Sequence, residues 1–227
     1  MHKLCAFACG IQTGIGTVLN NLMNPIQRTF DHLPNFNEIL TSHPHLQQIT
    51  YPRPRTSHQS IVVFGIGTVG SAAIIGARLA KCHTIIAVDV VDSKLEFAKS
   101  KAGATHIVNS ASSHFKNDPA ALVAHIKSLT PYGLGADMSL EASGVPGVAD
   151  TAIRVLATGG KAAIVGAGPE GVPLQVQQHE FLQNGWSVRG VFEGSSLPEV
   201  FLPYLMELYA RGGDEWEVVD VSRSPQE

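Results

Sequence analysis

The residues whose spacing could do chemistry lie in the run IVVFGIGTVG, where Gly65, Gly67 and Gly70 follow a β-branched apolar stretch and precede SAAIIGARLA. In a strand–turn–helix setting Gly65 permits the tight turn, Gly67 lets the backbone approach a pyrophosphate, and Gly70 lets the helix pack closely on the strand. The phosphates would meet the first helical residues, Thr68 and Val69. Unpaired N–H groups and the positive end of the helix dipole favour an anion there. A glycine-rich turn alone is weak, but a second signal stands about 20 residues further on, where TIIAVDV ends at Asp89. A carboxylate at that place can accept both hydroxyls of an adenosine ribose and repels a 2′-phosphate, which favours NAD over NADP. The competing role for Asp89 is a helix cap, although Asp92 and Ser93 already supply capping oxygens. Lys94 reads equally as a second ribose contact or as an exposed helix lysine.

Around these residues, strand-like and helix-like segments alternate from residue 60 onward, the pattern of a parallel sheet covered by helices on both faces. Short apolar runs predict strands over Ile61 to Gly65, Thr84 to Asp89, His106 to Asn109, Ala136 to Glu141, Lys161 to Gly166 and Ser187 to Val191. Helices are predicted to start near Thr68, Ser93, Asp118, Pro146 and Leu197, with Asp118-Pro119 as an N-cap followed by proline at the first helical position. The fold class is therefore α/β, a Rossmann doubly wound six-stranded parallel sheet. The Ile61 to Ala80 run approaches membrane-spanning length, but its three spaced glycines and Arg78 make it a strand, a turn and a helix.

Bulk properties narrow the partners. A net charge of −3 with no lysine- or arginine-rich run offers no field for nucleic acid or an acidic membrane. Three cysteines, Cys5, Cys9 and Cys82, are too few and too unevenly placed for a disulfide framework, which points to a reducing, cytoplasmic setting. The short apolar run at the N-terminus is not a secretory signal.

The organisation read from these patterns is a segment over 1–20, an irregular loop or insertion over 21–60, a Rossmann domain over 61–212 and a fraying tail over 213–227. The insertion holds Pro25, Pro34, Pro44, Pro52 and Pro54 with His32, His43, His45 and His58. His43-Pro44-His45 lacks cysteine or carboxylate partners at ligand spacing, so these read as solvated loop histidines. His106, His125 and Glu141 form no self-sufficient catalytic set; Glu141, ending the fourth strand at the ligand-binding edge, is the least bland of the three.

The ordered motifs CGIQTGIGTVLN, FGIGTVGSAAI, IAVDVVDSKLEFAK, GADMSLEASG, GGKAAIVGA and SVRGVFEG together resemble the zinc-containing medium-chain alcohol dehydrogenases, particularly the branch acting on aryl alcohols such as benzyl alcohol. The resemblance implies that residues 1–20 are a remnant of the family's catalytic domain with its connecting helix. It implies that Cys9 matches one protein ligand of the catalytic zinc and that Thr13 packs against the nicotinamide ring. Val165, Gly166 and Ala167 would face the nicotinamide, and Phe192 with Glu193 would hold its carboxamide. Read without the resemblance, Cys9 is an ordinary buried cysteine, and Val165, Gly166, Ala167, Phe192 and Glu193 are strand termini and core. The family activity is alcohol oxidation, with zinc lowering the pKa of the substrate oxygen and hydride passing to the nicotinamide.

The departures bear on turnover. The family's other two zinc ligands and its proton relay belong to an N-terminal domain that this chain lacks, and Cys9 alone makes no catalytic zinc site. Residues 21–60 replace a short connection, and are either a genuine insertion or translated non-coding sequence in an incomplete gene model. The expectation is an NAD-dependent oxidoreductase lineage with a chain inactive by itself, against an NAD-binding module that catalyses nothing. A nucleotide-binding methyltransferase fits the glycine spacing and the later motifs less well. Relatives associate through the sheet edge near Trp186 to Gly194, which implies a homodimer.

Overall fold

The computed structural model describes residues 2–22, 59–116, 118–196, 201–203 and 205–206. Six strands form one sheet: β1 Ser60–Phe64, β2 Thr84–Asp89, β3 His106–Asn109, β4 Ala136–Glu141, β5 Leu156–Ile164 and β6 Ser187–Gly190. Their order is β3-β2-β1-β4-β5-β6, and every neighbouring pair is parallel. The helices are α1 His2–Gly16, α2 Thr68–Leu79, α3 Asp92–Phe97, α4 Pro119–Ser128, α5 Val148–Arg154 and α6 Gln178–Asn184.

Strand periodicity sorts the core into two layers. Ile61, Val63, Ile85, Ala87 and Leu140 face α1 and α2, while Val62, Phe64, Ile86 and Val88 face Leu122 and Ile126 of α4 and Ala152 of α5. Every residue of β1 is buried because strands flank it on both edges and helices cover both faces. At the opposite end of the sheet from the glycine turn, Asp137 Oδ2 accepts from the amide of Ser60 at 2.9 Å and from its hydroxyl at 2.7 Å, locking the register of β1 against β4.

The expected strands over Thr84 to Asp89, His106 to Asn109 and Ala136 to Glu141 have the observed limits, whereas β1 is shifted by one residue at both ends and β6 stops one residue early. The strand expected from Lys161 instead begins at Leu156. Its early residues include Gly159, with φ +75°, and the pairing with β4 shifts register between Ala136 and Met138. A bulge thus carries the ladder through a glycine pair that reads locally as a turn. The helix expected near Pro146 starts at Val148, after Gly147 in the left-handed region. Asp118 caps α4 as expected, its Oδ1 accepting from Ala121 N at 2.9 Å with Pro119 at the first position. Helix α6 was not anticipated: it is short, has no side-chain cap and buries no residue, so it carries no periodic signal. The helix start near Leu197, nearly all of the 21–60 segment and the 213–227 tail lie outside the described residues, whereas residues 201–203 and 205–206 are helical.

Helix α1 lies along α2, and small residues make that approach possible. A Cβ on Gly14 would overlap the carbonyl oxygen of Val69 and fall 2.7 Å from Ala72 Cβ, and one on Gly10 would fall 2.6 Å from Thr68 Cγ2. Substituting Gly14→Ala is therefore expected to lower unfolding stability by about 1–3 kcal/mol, the usual cost of overpacking. Urea denaturation of the two chains tests this, and unchanged stability would mean that α1 is not held against α2 in solution.

Candidate functional site

The site forms where β1 connects to β2 on one side and β4 lies on the other, so that the loops leaving β1 and β4 part at the carboxyl edge. Gly65 leaves β1 with φ +84°, its amide donating to Val88 O at 2.9 Å. A Cβ on Gly70 would overlap the carbonyl oxygen of Gly65, so only glycine lets α2 start this close to the strand. A Cβ on Gly67 would meet nothing within 4 Å, and Gly67 and Thr68 are exposed while Val69 is half-buried. The turn therefore presents an open space at the start of a twelve-residue helix whose first amides lack intrahelical acceptors.

Asp89 closes one side. Its Oδ2 accepts from Ile66 N at 2.6 Å, and its Oδ1 accepts from Val90 N at 2.7 Å and Val91 N at 3.0 Å. The carboxylate thus ties the glycine turn to the loop after β2. Of its roughly four acceptor positions three are used by main-chain amides, leaving about one for an incoming hydroxyl. Lys94 lies half-buried on α3, two residues after Asp92, whose Oδ1 accepts from Asn109 Nδ2 at 2.6 Å.

The other side is a row of interlocked turns. A Cβ on Gly65 would fall 2.8 Å from Ser143 N, and one on Gly144 would fall 2.6 Å from Ala167 O. Val165 and Gly166 are half-buried and Ala167 is exposed. Behind these turns a cavity of about 230 Å³ is lined by Glu141, Asp150, Gly166 and Leu174 among others. Glu141 is only 2% exposed, and its Oε1 accepts from Ser143 N at 2.7 Å, from the Ser143 hydroxyl and from Gly144 N at 2.9 Å.

Helix α1 brings up the remaining candidates. Thr13 is buried, its carbonyl accepting from Thr17 Oγ1 at 2.6 Å, and neighbouring Gly14 touches Val69. Gln12, also buried, donates from Nε2 to Glu193 O at 3.5 Å, linking α1 to the turn after β6. Phe192 opens that turn and is 86% exposed. Cys9 is exposed rather than buried in the core. Among the described residues no group of three or more His, Cys, Asp or Glu side chains could hold a metal ion, so the donors present do not fit a zinc centre. The glycine turn, by contrast, has room for a phosphate group.

The structure thus gathers Gly65, Gly67, Thr68, Val69, Gly70, Asp89, Val165, Gly166 and Ala167 on strand ends, loops and the start of α2 at the carboxyl edge of the sheet, while α1, which carries Thr13, packs against Val69 and the turn that follows Phe192. Sequence reasoning passed over Gln12, Ser143 and Gly144. The only local signal for the last two was the Ala-Ser-Gly turn directly after a strand-terminal glutamate.

A zinc-binding dehydrogenase family model matches residues 68–211, and the chain belongs to that family. Its six-stranded parallel sheet is the family's Rossmann-like domain. Among solved structures it is similar to benzyl alcohol dehydrogenase from Acinetobacter calcoaceticus, with a TM-score of 0.70 and 33% identity, covering 93% of this chain and 47% of that one. An alcohol dehydrogenase zinc-binding domain protein from Burkholderia ambifaria matches with a TM-score of 0.69 and 32% identity over 92% of this chain and 45% of that one. Alcohol dehydrogenase-like 6 of Arabidopsis thaliana is 28% identical over 209 residues, 92% of this chain and 45% of its own length. The chain therefore spans about half the length of the relatives it matches. No helix among the described residues is long and apolar enough to cross a membrane.

Cys9 and Cys82 are expected to differ in reactivity. Burial, with a further contribution from the Asp137 carboxylate, pushes the Cys82 thiol up to about 12, whereas Cys9 is exposed. Since the thiolate is the nucleophile, iodoacetamide at pH 8 should modify Cys9 and leave Cys82 untouched until the chain is unfolded. Peptide mapping by mass spectrometry reads this directly, and early alkylation of Cys82 in folded protein would contradict it.

Proposed function

We propose that this chain is the NAD-binding half of an alcohol dehydrogenase-class oxidoreductase, and that by itself it holds the coenzyme without turning over alcohol. The observation that carries the reading is the open space at Gly67, at the start of α2, with the Asp89 carboxylate beside it. Pyrophosphate oxygens would accept from the first amides of α2. One hydroxyl of the adenosine ribose would donate to the remaining lone pair of Asp89, and a 2′-phosphate there would meet like charge. Thr13, Val69, Val165, Gly166, Ala167 and the backbone at Phe192 would border the nicotinamide half, and Lys94 would reach the ribose. When bound, the nicotinamide supplies hydride acceptance. The similarity to a benzyl alcohol dehydrogenase supports aryl alcohols as the substrate class of the complete enzyme.

The second reading, a coenzyme-binding module that catalyses nothing even with a partner, is favoured by the described donor set, in which Cys9 has no metal-ligand companions. In either case residues 1–20 would be what remains of the catalytic domain and residues 21–60 an insertion or translated non-coding sequence, with 61–212 as the coenzyme domain and 213–227 as its tail. We place the chain in the cytoplasm. We also propose a homodimer through β6, which forms one edge of the sheet with Ser187, Arg189 and Gly190 exposed.

Calorimetric titration should show NAD binding on the order of tenfold or more tighter than NADP, the equivalent of about 1.4 kcal/mol. Gly67→Ala should leave thermal stability unchanged, since its Cβ meets nothing, yet weaken NAD. Benzyl alcohol with added zinc should give no turnover. Binding of neither nucleotide would sink the coenzyme reading, and zinc-dependent turnover would overturn the inactive one. Sedimentation of the same sample should give a dimer, which a β6 substitution Val188→Pro disrupts, because proline removes a ladder amide from an edge strand; a monomer in the parent chain would discard the edge proposal.

A further inference from the structure

We propose that Glu141 is a positioning residue that holds both lips of the nicotinamide side of the crevice in register, an inference that rests on the NAD reading above. Glu141 ends β4, the strand across the switch point from β1, and is 2% exposed. A buried carboxylate is retained at a cost unless its oxygens are satisfied, and here the satisfaction comes from the loops themselves. Oε1 accepts from the amide and hydroxyl of Ser143 and from the amide of Gly144, curling the turn after β4 back onto its own strand. The main-chain oxygen of Glu141 accepts from Val165 N at 2.9 Å and Gly166 N at 3.0 Å, fastening the turn after β5. Oε2 lies 2.5 Å from where a Cβ of Gly166 would be, so the same carboxylate packs beneath the second turn.

The two turns then meet each other and the glycine loop. Ala142 N donates to Phe64 O at 2.9 Å, Ser143 abuts Gly65, and Gly144 abuts Ala167. One residue therefore fixes 142–144 through its side chain, and 165–167 through its main-chain oxygen and the packing of its carboxylate. The loops after β1 and β2 depend instead on Asp89. This division predicts separable effects: Asp89 organises the adenosine side, and Glu141 organises the side where a nicotinamide would lie. Glutamine at 141 can present the same acceptor to all three donors, whereas leucine leaves them unpaired.

The test compares the parent chain with Glu141→Leu, Glu141→Gln and Ser143→Ala, titrating each with NAD and with AMP and recording its thermal melting. Glu141→Leu should weaken NAD by about tenfold or more while changing AMP by less than about twofold, and Glu141→Gln should restore most of the loss. A parallel fall in NAD and AMP would reduce Glu141 to a general structural residue and overturn the proposal. Should Glu141→Leu fail to fold, Ser143→Ala removes one of the three donors, together with the hydroxyl that accepts from Val145 N at 3.2 Å, and should give a smaller loss confined to NAD. Unchanged NAD affinity in Ser143→Ala and in any folded Glu141→Leu overturns the inference alone, whereas a parent chain that binds neither nucleotide overturns the coenzyme reading and this inference with it.

Discussion

The carbonyl oxygen of Gly65 occupies the space that a side chain at position 70 would need, and the rest of the carboxyl edge depends on that approach. Helix α2 can begin immediately above β1 only because Gly70 carries no Cβ. Its short side chains Ala72, Ala73 and Ala77 are buried in the same core as the strands. The same closeness leaves the far flank of α2 low enough for α1 to lie on it, through Gly10 and Gly14. A single backbone contact thus sets the height of a helix, and that height sets how near the next helix can come.

Two strand-terminal carboxylates complete the edge by a shared device. Asp89 and Glu141 each end a strand and each gather amides from the loop that follows. Loops at this edge leave parallel strands with their amides no longer paired in the ladder, and an unpaired buried amide is costly. A carboxylate pairs several at once, and its charge strengthens each bond. The difference lies in reach. Asp89 also takes the amide of Ile66 from the glycine turn, whereas Glu141 turns inward toward the cavity behind the β4 and β5 loops.

The likeness to proteins about twice as long gives these features their meaning. A sheet whose open edge is built from glycine approaches and carboxylate clamps has the shape the proposed coenzyme site requires, while the described residues offer no cluster able to bind a metal. Cys9 and Thr13 lie one turn apart on the same side of α1, so the exposure of the first and the burial of the second reflect position along the helix rather than its face.

The sequence by itself determined the order and nature of most elements and the glycine–aspartate signature. Buried parallel strands must be short apolar runs, and a strand–turn–helix at this spacing tolerates only glycine at Gly65 and Gly70. Local pattern also specified the Asp118 cap, because the cap oxygen and the amide that donates to it lie three residues apart. Only the tertiary structure decided the early start of β5, since its register shift is set by pairing with β4 across the sheet. The same holds for α6, whose polar face has no period to read, and for the split duty of Asp89, whose partner Ile66 is 23 residues away. Glu141 was visible as a strand-terminal acid, but its hold on two turns was not, because one of those turns follows β5 and comes within reach only once β4 and β5 pair in register.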